Sequence, residues 1–315
     1  MVIGGPTASG KSAIALALAE NLQAKGQRPV ILNADALQVY RDLSVLTARP
    51  DAADEARAPH RLYGVIDGAT RGTVALWLGM IQEEIAAILQ TGGWPIVVGG
   101  SGMYLHSLMN GLAIVPEIEA ELRAFTINRH GELGGARFRA ELATLDPGAA
   151  ARLHDGDTQR LIRAYEVVKA TGRTLEDWQQ DKEIAPPANW RFKTFVVSPT
   201  RPVLYSHCDL RFDLMLQRGA AEEVRHLLAR QLDPTLPVMK AVGVPELAAV
   251  FKGEATITEA RVKAQQATRN YAKRQLTWFR HQLPTAMRLE HDRPGEEKEN
   301  CDLAAKIYAI ICKVD

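Results

Sequence analysis

A glycine-rich segment near the start of the chain has the residue types and spacing of a phosphate-binding loop. It fits the pattern G-x-x-x-x-G-K-[ST] with the residues Gly5, Pro6, Thr7, Ala8, Ser9, Gly10, Lys11 and Ser12. In such a loop, backbone N–H groups surround an anion, the helix N-terminus adds positive potential, the Lys meets phosphate oxygens and the Ser hydroxyl can bind Mg²⁺. The segment therefore predicts a polyphosphate site with Mg²⁺ as cofactor at Ser12. A glycine-rich turn without a ligand is the alternative.

Asp35 follows the apolar run Pro29–Leu32, which is typical of a buried strand. The carboxyl ends of parallel strands form the edge where α/β proteins bind their ligands, and a phosphate-binding loop lies at the same edge. We therefore expect the carboxylate of Asp35 to face a bound diphosphate, where it can accept a proton or hold a metal. The alternative is that Asp35 only caps a helix or stabilises a turn.

The segment Gly99–Tyr104 follows a third apolar strand, Ile96–Val98, at the place where an ATPase usually carries an acidic residue. No acidic residue is present in this segment. Its glycines permit a close approach of the backbone to a ligand, and Ser101 offers a hydroxyl. The segment therefore disfavours an ordinary ATP-hydrolysing protein. A tight strand-to-helix turn is the alternative explanation.

Cationic side chains recur in the second half of the chain. Arg160 and Arg163 are three residues apart in a segment with helical spacing, so one helix face presents both to phosphates or bases. Arg211 is a further candidate for contact with an anion. A solvated helix face is the alternative for all three, because exposed helix arginines are common.

The stretch from Arg261 to Arg280 contains six Lys and Arg residues and no acidic residue. Within it, residues 271–280 interleave cations with aromatic side chains, a mixture that RNA-binding proteins use for phosphate contact and base stacking. This pattern predicts an RNA affinity that falls steeply with salt. At least one of Trp278 and Phe279 is expected to pack in the core instead.

The remaining pattern predicts the elements that bring these residues together. Short apolar runs alternate with amphipathic stretches over the first hundred residues, which is typical of βα units around a parallel sheet. Strand signals are absent from about residue 113 to 191, and a strand returns at Phe192–Val197. Helical spacing covers residues 13–24, 74–89, 204–230, 245–251, 258–280 and a closing helix near 307–311. The predicted fold class is α/β: a P-loop NTPase-like parallel sheet core with helices on both faces, formed by residues 1–112 and 192–315, and a helical insertion domain at 113–191.

The composition of the 315 residues is that of a globular protein. Lys and Arg number 38 against 37 Asp and Glu, which gives a formal charge of +1, and 46% of the residues are hydrophobic. A sizeable core is therefore possible and disorder is excluded. No apolar run has membrane-spanning length, no leader pattern opens the chain, and Cys208, Cys301 and Cys312 lack disulfide or zinc spacing. We therefore expect a soluble, cytoplasmic protein with free thiols.

Taken together, the chain resembles the tRNA dimethylallyltransferases, the isopentenyl transferases that prenylate the adenosine immediately 3′ of the anticodon. The resemblance is carried by motifs that occur in family order over nearly the whole chain. They lie at residues 5–12, 35–40, 47–50, 59–60, 98–102, 146–147, 157–164, 219–224, 241–243 and 272–278. Such a series is far more specific than the phosphate-binding loop alone.

The resemblance implies roles for individual residues. The loop would hold dimethylallyl diphosphate with Lys11, and Arg211 would lie near its diphosphate. Asp35 matches the general base of the family, and Ser101 stands where the family usually has Thr, so Ser101 and Lys11 are expected to act with Asp35 in catalysis. The hydroxyl at Ser101 is kept, but the methyl group that restrains a Thr rotamer is lost.

The resemblance also implies that a set of residues contacts the tRNA anticodon stem-loop. Arg123 matches an Arg that contacts tRNA, and Val244-Pro245 departs from the aromatic and basic pair that many relatives carry. The complete predicted set is Asp35, Ala36, Leu37, Gln38, Ser101, Arg123, Gln159, Arg160, Leu161, Ile162, Arg163, Lys240, Ala241, Val242, Gly243, Val244, Pro245, Lys273, Arg274, Gln275, Trp278 and Arg280.

The expected reaction is the transfer of a dimethylallyl group from dimethylallyl diphosphate to the exocyclic amine of that adenosine, with release of diphosphate, by a monomer. Two other functions remain open. A kinase would use the same loop for ATP and an Asp after the second strand as base or metal holder. A noncatalytic RNA-binding protein would use the loop to sense a nucleotide.

Overall fold

The computed structural model of the chain describes residues 1–181 and 183–312. Over these residues it has the strands β1 (Val2–Gly4), β2 (Pro29–Asn33), β3 (His60–Arg61), β4 (Trp94–Gly99), β5 (Thr194–Val197) and β6 (Met287–Leu289). They form one sheet in the order β3-β2-β4-β1-β5-β6, and each neighbouring pair is parallel. The carboxyl ends of the strands therefore lie at one edge, which confirms the predicted parallel sheet.

The α-helices of the described residues connect and follow these strands. They are α1 (Lys11–Ala24), α2 (Ala52–Arg57), α3 (Val74–Gln90), α4 (Gly102–Asn110), α5 (Ala120–Leu142), α6 (Pro147–Arg152), α7 (Thr158–Thr171), α8 (Leu175–Gln180), α9 (Arg201–Gln217), α10 (Ala220–Ala229), α11 (Val244–Phe251), α12 (Ile257–Gln282) and α13 (Glu297–Ile311). A short 3-10 helix, Pro237–Lys240, lies between α10 and α11. Apolar spacing predicted α1, α3, α11 and α12 to within a few residues. The single helix predicted for residues 204–230 is wrong, because Gly219, with φ 95°, separates α9 from α10. The elements β3, β6, α2 and α4 were not predicted, and β3, β6 and α2 are too short to show a period.

Helices cover both faces of the sheet, because alternate side chains of each strand point to opposite faces. Ile3 of β1 packs in one buried cluster with Ile14 of α1 and Ile307 of α13. Its neighbour Gly4 faces the ring of Phe279 on α12, which leaves no room for a Cβ there. The predicted arrangement of helices on both faces is therefore confirmed.

The chain divides into two compact units. The first, called the core unit, comprises Met1–Met109 and the residues from Ala188 onward, and it contains the whole sheet. The second, called the insertion unit, comprises Asn110–Pro187 with helices α5 to α8. Its interior is a cluster of buried side chains from α5, α6 and α7: Phe138, Leu142, Ala149, Ala150, Leu161, Ala164 and Tyr165.

None of the helices in the described residues combines the length and the apolar character that crossing a membrane requires.

Candidate active site

The phosphate-binding motif forms a tight loop between β1 and α1. Gly10 has left-handed backbone angles (φ 85°, ψ 0°), and Ala8 is also left-handed at φ 61°. Helix α1 begins directly after Gly10, so its first N–H groups have no intrahelical acceptor and are available to an anion. The side chain of Lys11 folds back over the loop, where Nζ donates to the carbonyl oxygen of Pro6 at 3.2 Å.

The cations beside this loop are desolvated. Burial lowers the pKa of Lys11 from 10.5 to about 8, and the negative charge of Asp35 partly opposes this shift. Burial likewise lowers the pKa of Arg211, whose guanidinium donates a hydrogen bond to the hydroxyl of Thr7. Because a buried cation is stabilised by a nearby opposite charge, both side chains favour an anionic ligand at the loop.

Gln275 of α12 holds the loop from inside the protein. Its Oε1 accepts the N–H of Thr7 at 2.8 Å, and its Nε2 donates to the carbonyl oxygen of Gly100 at 2.8 Å. The side chain is only 6% exposed. The side chain ties the phosphate loop to the turn after β4, and contact between Gln275 and tRNA stays a prediction.

Asp35 stabilises a turn and also lines a cavity. Its Oδ1 accepts the N–H of Leu37 at 3.0 Å and, more weakly, that of Gln38 at 3.4 Å, so it does stabilise a turn. It also lines the same cavity as Thr7 and Arg211. Among the described residues, no group donates a hydrogen bond to its Oδ2. One carboxylate oxygen thus fixes the turn while the other remains available to a ligand.

Ser101 orients the turn that carries Asp35. Its Oγ accepts the N–H of Ala36 at 2.8 Å, and its own N–H donates to the carbonyl oxygen of Ala34 at 3.2 Å. The hydroxyl of Tyr271 also lies in hydrogen-bond contact with Ser101. Burial raises the pKa of Tyr271, and the charge of Asp35 raises it further, so this phenol stays neutral. These hydrogen bonds restrain the side chain of Ser101, which lacks the methyl group that restrains a Thr side chain.

The turn after β4 contains glycines because neighbouring atoms leave no space for a Cβ. A Cβ at Gly99 would collide with the backbone of Ala34, and one at Gly102 would collide with the ring of Trp278. An acidic side chain of the ATPase type therefore has no room at Gly99. The half-buried indole of Trp278 packs on this turn, and Phe279 is 1% exposed, so the expectation that at least one of the two aromatic residues packs internally is confirmed.

One cavity in the core unit joins these groups. Its lining residues are Thr7, Asp35, Leu37, Leu46, Thr47, Cys208, Arg211, Phe212, Met215, Ala241, Val242, Thr268 and Tyr271. Thr7 of the phosphate loop, Arg211 and Asp35 form a polar side, and most of the other lining side chains are apolar. The cavity therefore suits a small ligand with an anionic head and an apolar tail.

Helix α9 contributes a full face to this cavity. Cys208, Arg211, Phe212 and Met215 are spaced at i, i+3, i+4 and i+7, which places them on one side of a helix. Burial raises the pKa of the Cys208 thiol to about 11. The sequence indicated Arg211 as an anion contact and Tyr271 as one of the aromatic residues interleaved with cations. It did not indicate Cys208 or Phe212, although the helical spacing of α9 carried that signal.

Several cations predicted to bind RNA are exposed. On α12 these are Lys273, Arg274 and Arg280, and Lys240 is exposed ahead of α11. Two of the six cations on α12 are balanced by acidic residues of another helix, because Arg261 pairs with Asp213 and Arg269 pairs with Asp209 of α9.

In the insertion unit, Arg123, Gln159 and Arg160 are exposed, whereas Arg163 forms an ion pair with Glu166 at 2.9 Å. Leu161 is fully buried in the core of this unit, so its side chain packs internally, and its contact with tRNA stays a prediction. Ile162, next to it, is half-buried.

The segment 240–245 of the core unit likewise contains both exposed and buried residues. Ala241 and Val244 are 1% exposed and pack internally, and Val242 lines the cavity. Gly243 has φ 100° and lies against the side chain of Leu46, another wall of the cavity. Pro245 is exposed. Ala36, Leu37 and Gln38 are half-buried beside Asp35.

The fold and the cavity define an α/β protein of the P-loop type with a candidate diphosphate site facing a carboxylate. Residues 38–282 match the family model of the IPP transferases. A tRNA dimethylallyltransferase of Rhodospirillum centenum is 51% identical over 296 residues, which cover 94% of this chain and 92% of that relative. The chain belongs to the IPP transferase family, which confirms the resemblance found in the sequence.

Solved structures agree with this assignment. A tRNA delta(2)-isopentenylpyrophosphate transferase from Staphylococcus epidermidis is similar with a TM-score of 0.68 and 28% identity, covering 100% of this chain and 98% of that one. The tRNA isopentenylpyrophosphate transferase from Bacillus halodurans gives a TM-score of 0.69 and 26% identity, covering 99% of this chain and 96% of that one.

Proposed function

We propose that the protein transfers the dimethylallyl group of dimethylallyl diphosphate to the exocyclic amine of the adenosine immediately 3′ of the anticodon in tRNA. The observation that carries this proposal is the single cavity that joins Thr7, Arg211 and Asp35 with apolar walls. A diphosphate head and a short branched hydrocarbon tail match the two parts of this cavity.

The phosphate loop and the cations beside it lower the barrier to breaking the allylic C–O bond. As that bond breaks, negative charge grows on the leaving diphosphate. The N–H groups at the start of α1, the ammonium of Lys11 and the guanidinium of Arg211 lie where they can stabilise this charge. Donors fixed in position before the reaction stabilise the transition state more effectively than water, which must reorganise.

Asp35 is proposed as the general base for the acceptor. The exocyclic amine of adenosine is a weak nucleophile, because its lone pair is delocalised into the purine. As the new C–N bond forms, the amine proton moves to a carboxylate oxygen of Asp35, and diphosphate leaves. Since Oδ1 is occupied by the N–H of Leu37, Oδ2 is the oxygen that accepts this proton. Ser101 and Tyr271 hold the turn in place rather than taking part in proton transfer.

Mg²⁺ fits this loop through few protein ligands. The hydroxyl of Ser12 is exposed at the start of α1, and the described residues contain no group of three or more His, Cys, Asp or Glu side chains placed to hold a metal ion. Mg²⁺ commonly binds through substrate phosphates and retained waters with few protein oxygens. Ser12 and the donor diphosphate would therefore hold the ion, which neutralises charge on the leaving group when bound.

Exposed cations on both units support binding of the acceptor as a polynucleotide. The target base must leave the stack of its loop to reach a carboxylate inside a cavity, as in other enzymes that modify bases. We also propose that the protein acts as a monomer.

The test is incubation of the purified protein with unmodified tRNA, dimethylallyl diphosphate and Mg²⁺, followed by mass analysis of the nucleosides. We expect one adenosine to gain the mass of a dimethylallyl group less one hydrogen. Parallel incubations contain ATP labelled at the γ-phosphate, and transfer of the label to any acceptor would instead support a kinase. Binding of tRNA without a change in nucleoside mass would support a noncatalytic RNA-binding protein.

A further inference from the structure

A buried histidine from the C-terminal part of the chain lies directly against the phosphate loop. His291 follows β6 and is 0% exposed. A Cβ built on Gly10 would come within 2.5 Å of Nε2 of His291 and within 3.3 Å of Cβ of Pro294. The imidazole therefore forms a wall against the backbone of Gly10. This wall lies outside the part of the chain that matches the family model, which ends at residue 282.

The imidazole is held by packing, and one carboxylate lies close to it. Glu299 of α13 lies 3.4 Å from Nδ1 of His291, and the same oxygen accepts the N–H of Asp292 at 3.2 Å. His207 of α9 is also close enough that the charge of His291 contributes, after burial, to lowering the pKa of His207. Neither ring nitrogen of His291 has a hydrogen-bond partner among the described residues. Burying such nitrogens is unfavourable, so an apolar side chain would serve better if the position only filled space.

Helix α13 packs against α1, the helix that follows the phosphate loop, and so fixes the position of His291 relative to α1. Ala304 and Ile307 of α13 share a buried cluster with Ile14, Leu18 and Leu22 of α1. Glu299, one turn before Ala304 on α13, then reaches back to residues 291 and 292. The C-terminal segment thus contacts both sides of the junction between the phosphate loop and α1.

Gly10 needs such a contact because its own residue type does not fix its conformation. Glycine adopts positive and negative φ about equally readily, so the left-handed angles of Gly10 depend on its surroundings. These angles set the direction of the N–H groups at the start of α1, which are the donors available to an anion.

We propose that His291 is a positioning residue that holds Gly10 in its left-handed conformation and so keeps the first N–H groups of α1 directed at the bound diphosphate. This inference deepens the proposed function and depends on it only for the identity of the donor. Loss of the imidazole weakens binding of any diphosphate at the loop. It leaves the surface that binds tRNA unchanged, because His291 has no exposed atoms.

The test compares His291→Ala, His291→Gln and Glu299→Gln with the control His226→Ala, since His226 is exposed on α10. Binding of inorganic diphosphate to the full chain with Mg²⁺ is measured by calorimetry, tRNA affinity by filter binding, and KM for the donor separately from kcat. We expect H291A to weaken diphosphate binding and raise the donor KM by about tenfold or more, with a smaller change in kcat and tRNA affinity. H291Q and E299Q should show smaller changes of the same sign, and H226A none.

A folded H291A that binds both diphosphate and tRNA as the unaltered protein does would overturn the inference. Equal losses of diphosphate and tRNA binding would also overturn it, since they would indicate a general structural role. If H291A does not fold, E299Q decides the question: unchanged diphosphate binding contradicts the inference, and selectively weakened binding supports it. Because diphosphate binding is measured without tRNA and without a dimethylallyl group, failure of the proposed transfer reaction would leave this test intact.

Discussion

The side chain of Gln275 accepts the backbone N–H of Thr7 at 2.8 Å, across 268 residues of sequence. The same amide donates to the carbonyl oxygen of Gly100, so one side chain connects the phosphate loop, the turn after β4 and helix α12. Both backbone groups are oriented by a side chain that is 6% exposed. The geometry of the phosphate loop therefore depends on a helix near the other end of the chain.

Replacement of Gln275 by Ala is expected to weaken donor binding while tRNA affinity stays unchanged. The substitution leaves the N–H of Thr7 and the carbonyl of Gly100 without their partner, at a cost of about 1–3 kcal/mol for each buried group left unpaired. Thermal unfolding and the donor KM measure the two effects. Gln266→Ala, at an exposed position of the same helix, is the control. Loss of tRNA affinity with unchanged donor binding would support Gln275 as an RNA contact.

Replacement of Asp35 by Asn is expected to slow transfer by roughly 10²–10⁴-fold, the usual contribution of a general base. The amide oxygen can still accept the N–H of Leu37, so the turn and the tRNA affinity should remain. Single-turnover transfer with saturating tRNA measures the chemical step. Asp51→Asn removes a charge from an exposed N-cap and is the control. Normal turnover by D35N would remove Asp35 from its proposed role.

The grouping of the site residues at one edge of the sheet could be predicted from the sequence. The contacts that hold those residues in place could not. Local apolar runs place the phosphate loop, Asp35 and Ser101 after strands, and a parallel sheet then brings them to one edge. Gln275 is joined to that edge only through a contact between distant segments. The ion pair between Arg261 and Asp213 spans 48 residues and is equally invisible to a local pattern.

The predicted RNA-binding residues include apolar ones, because whole motif segments were assigned to the RNA-binding surface. Leu161 lies four residues before Tyr165, and both are buried in the same cluster. That spacing marks the inner face of a helix, so helical period is a better guide than the motif boundary. Val244 is buried in the same way at the start of α11. The exposed neighbours Arg160 and Lys240 remain predicted contacts.

Cys208 is expected to resist alkylation at pH 8, where Cys301 and Cys312 react. Burial raises the pKa of Cys208 to about 11, so its reactive thiolate is scarce below that pH, whereas the other two cysteines are exposed. Peptide mass analysis after a short treatment with iodoacetamide distinguishes the three sites. The reactivity of Cys208 should rise as the pH approaches 11. Rapid labelling of Cys208 at pH 8 would show that the cavity wall formed by α9 is open to solvent.

Glu223 of α10 is expected to control the shape of the cavity from outside it. Its carboxylate accepts the N–H groups of Ser44, Val45 and Leu46, and Leu46 and Thr47 line the cavity. Hydrogen bonds to a charged group are worth about 1.5–3 kcal/mol, so Glu223→Ala should loosen this loop. We expect a higher donor KM and faster proteolysis within residues 43–48.

The neighbouring Glu222 provides a matched control for this loop. Glu222 is on the same turn of α10, but it pairs only with surface cations on its own helix, Arg225 and His226. Glu222→Ala should therefore change neither the donor KM nor the proteolysis pattern. Equal effects of the two substitutions would assign the loss to α10 as a whole.

The exposed cations of α12 that form no ion pair among the described residues are expected to account for the salt dependence of tRNA binding. The cations that form ion pairs with acidic residues of α9 are expected to contribute less. Lys273 and Arg274 are exposed, whereas Arg261 is held by Asp213. Each phosphate contact that is lost should reduce the slope of log affinity against log salt by about 0.7–0.9. Lys273→Ala with Arg274→Ala should therefore flatten the slope more than Arg261→Ala. Equal slopes for all variants would contradict the assignment of this surface to RNA, because counterion release depends only on phosphates that are neutralised.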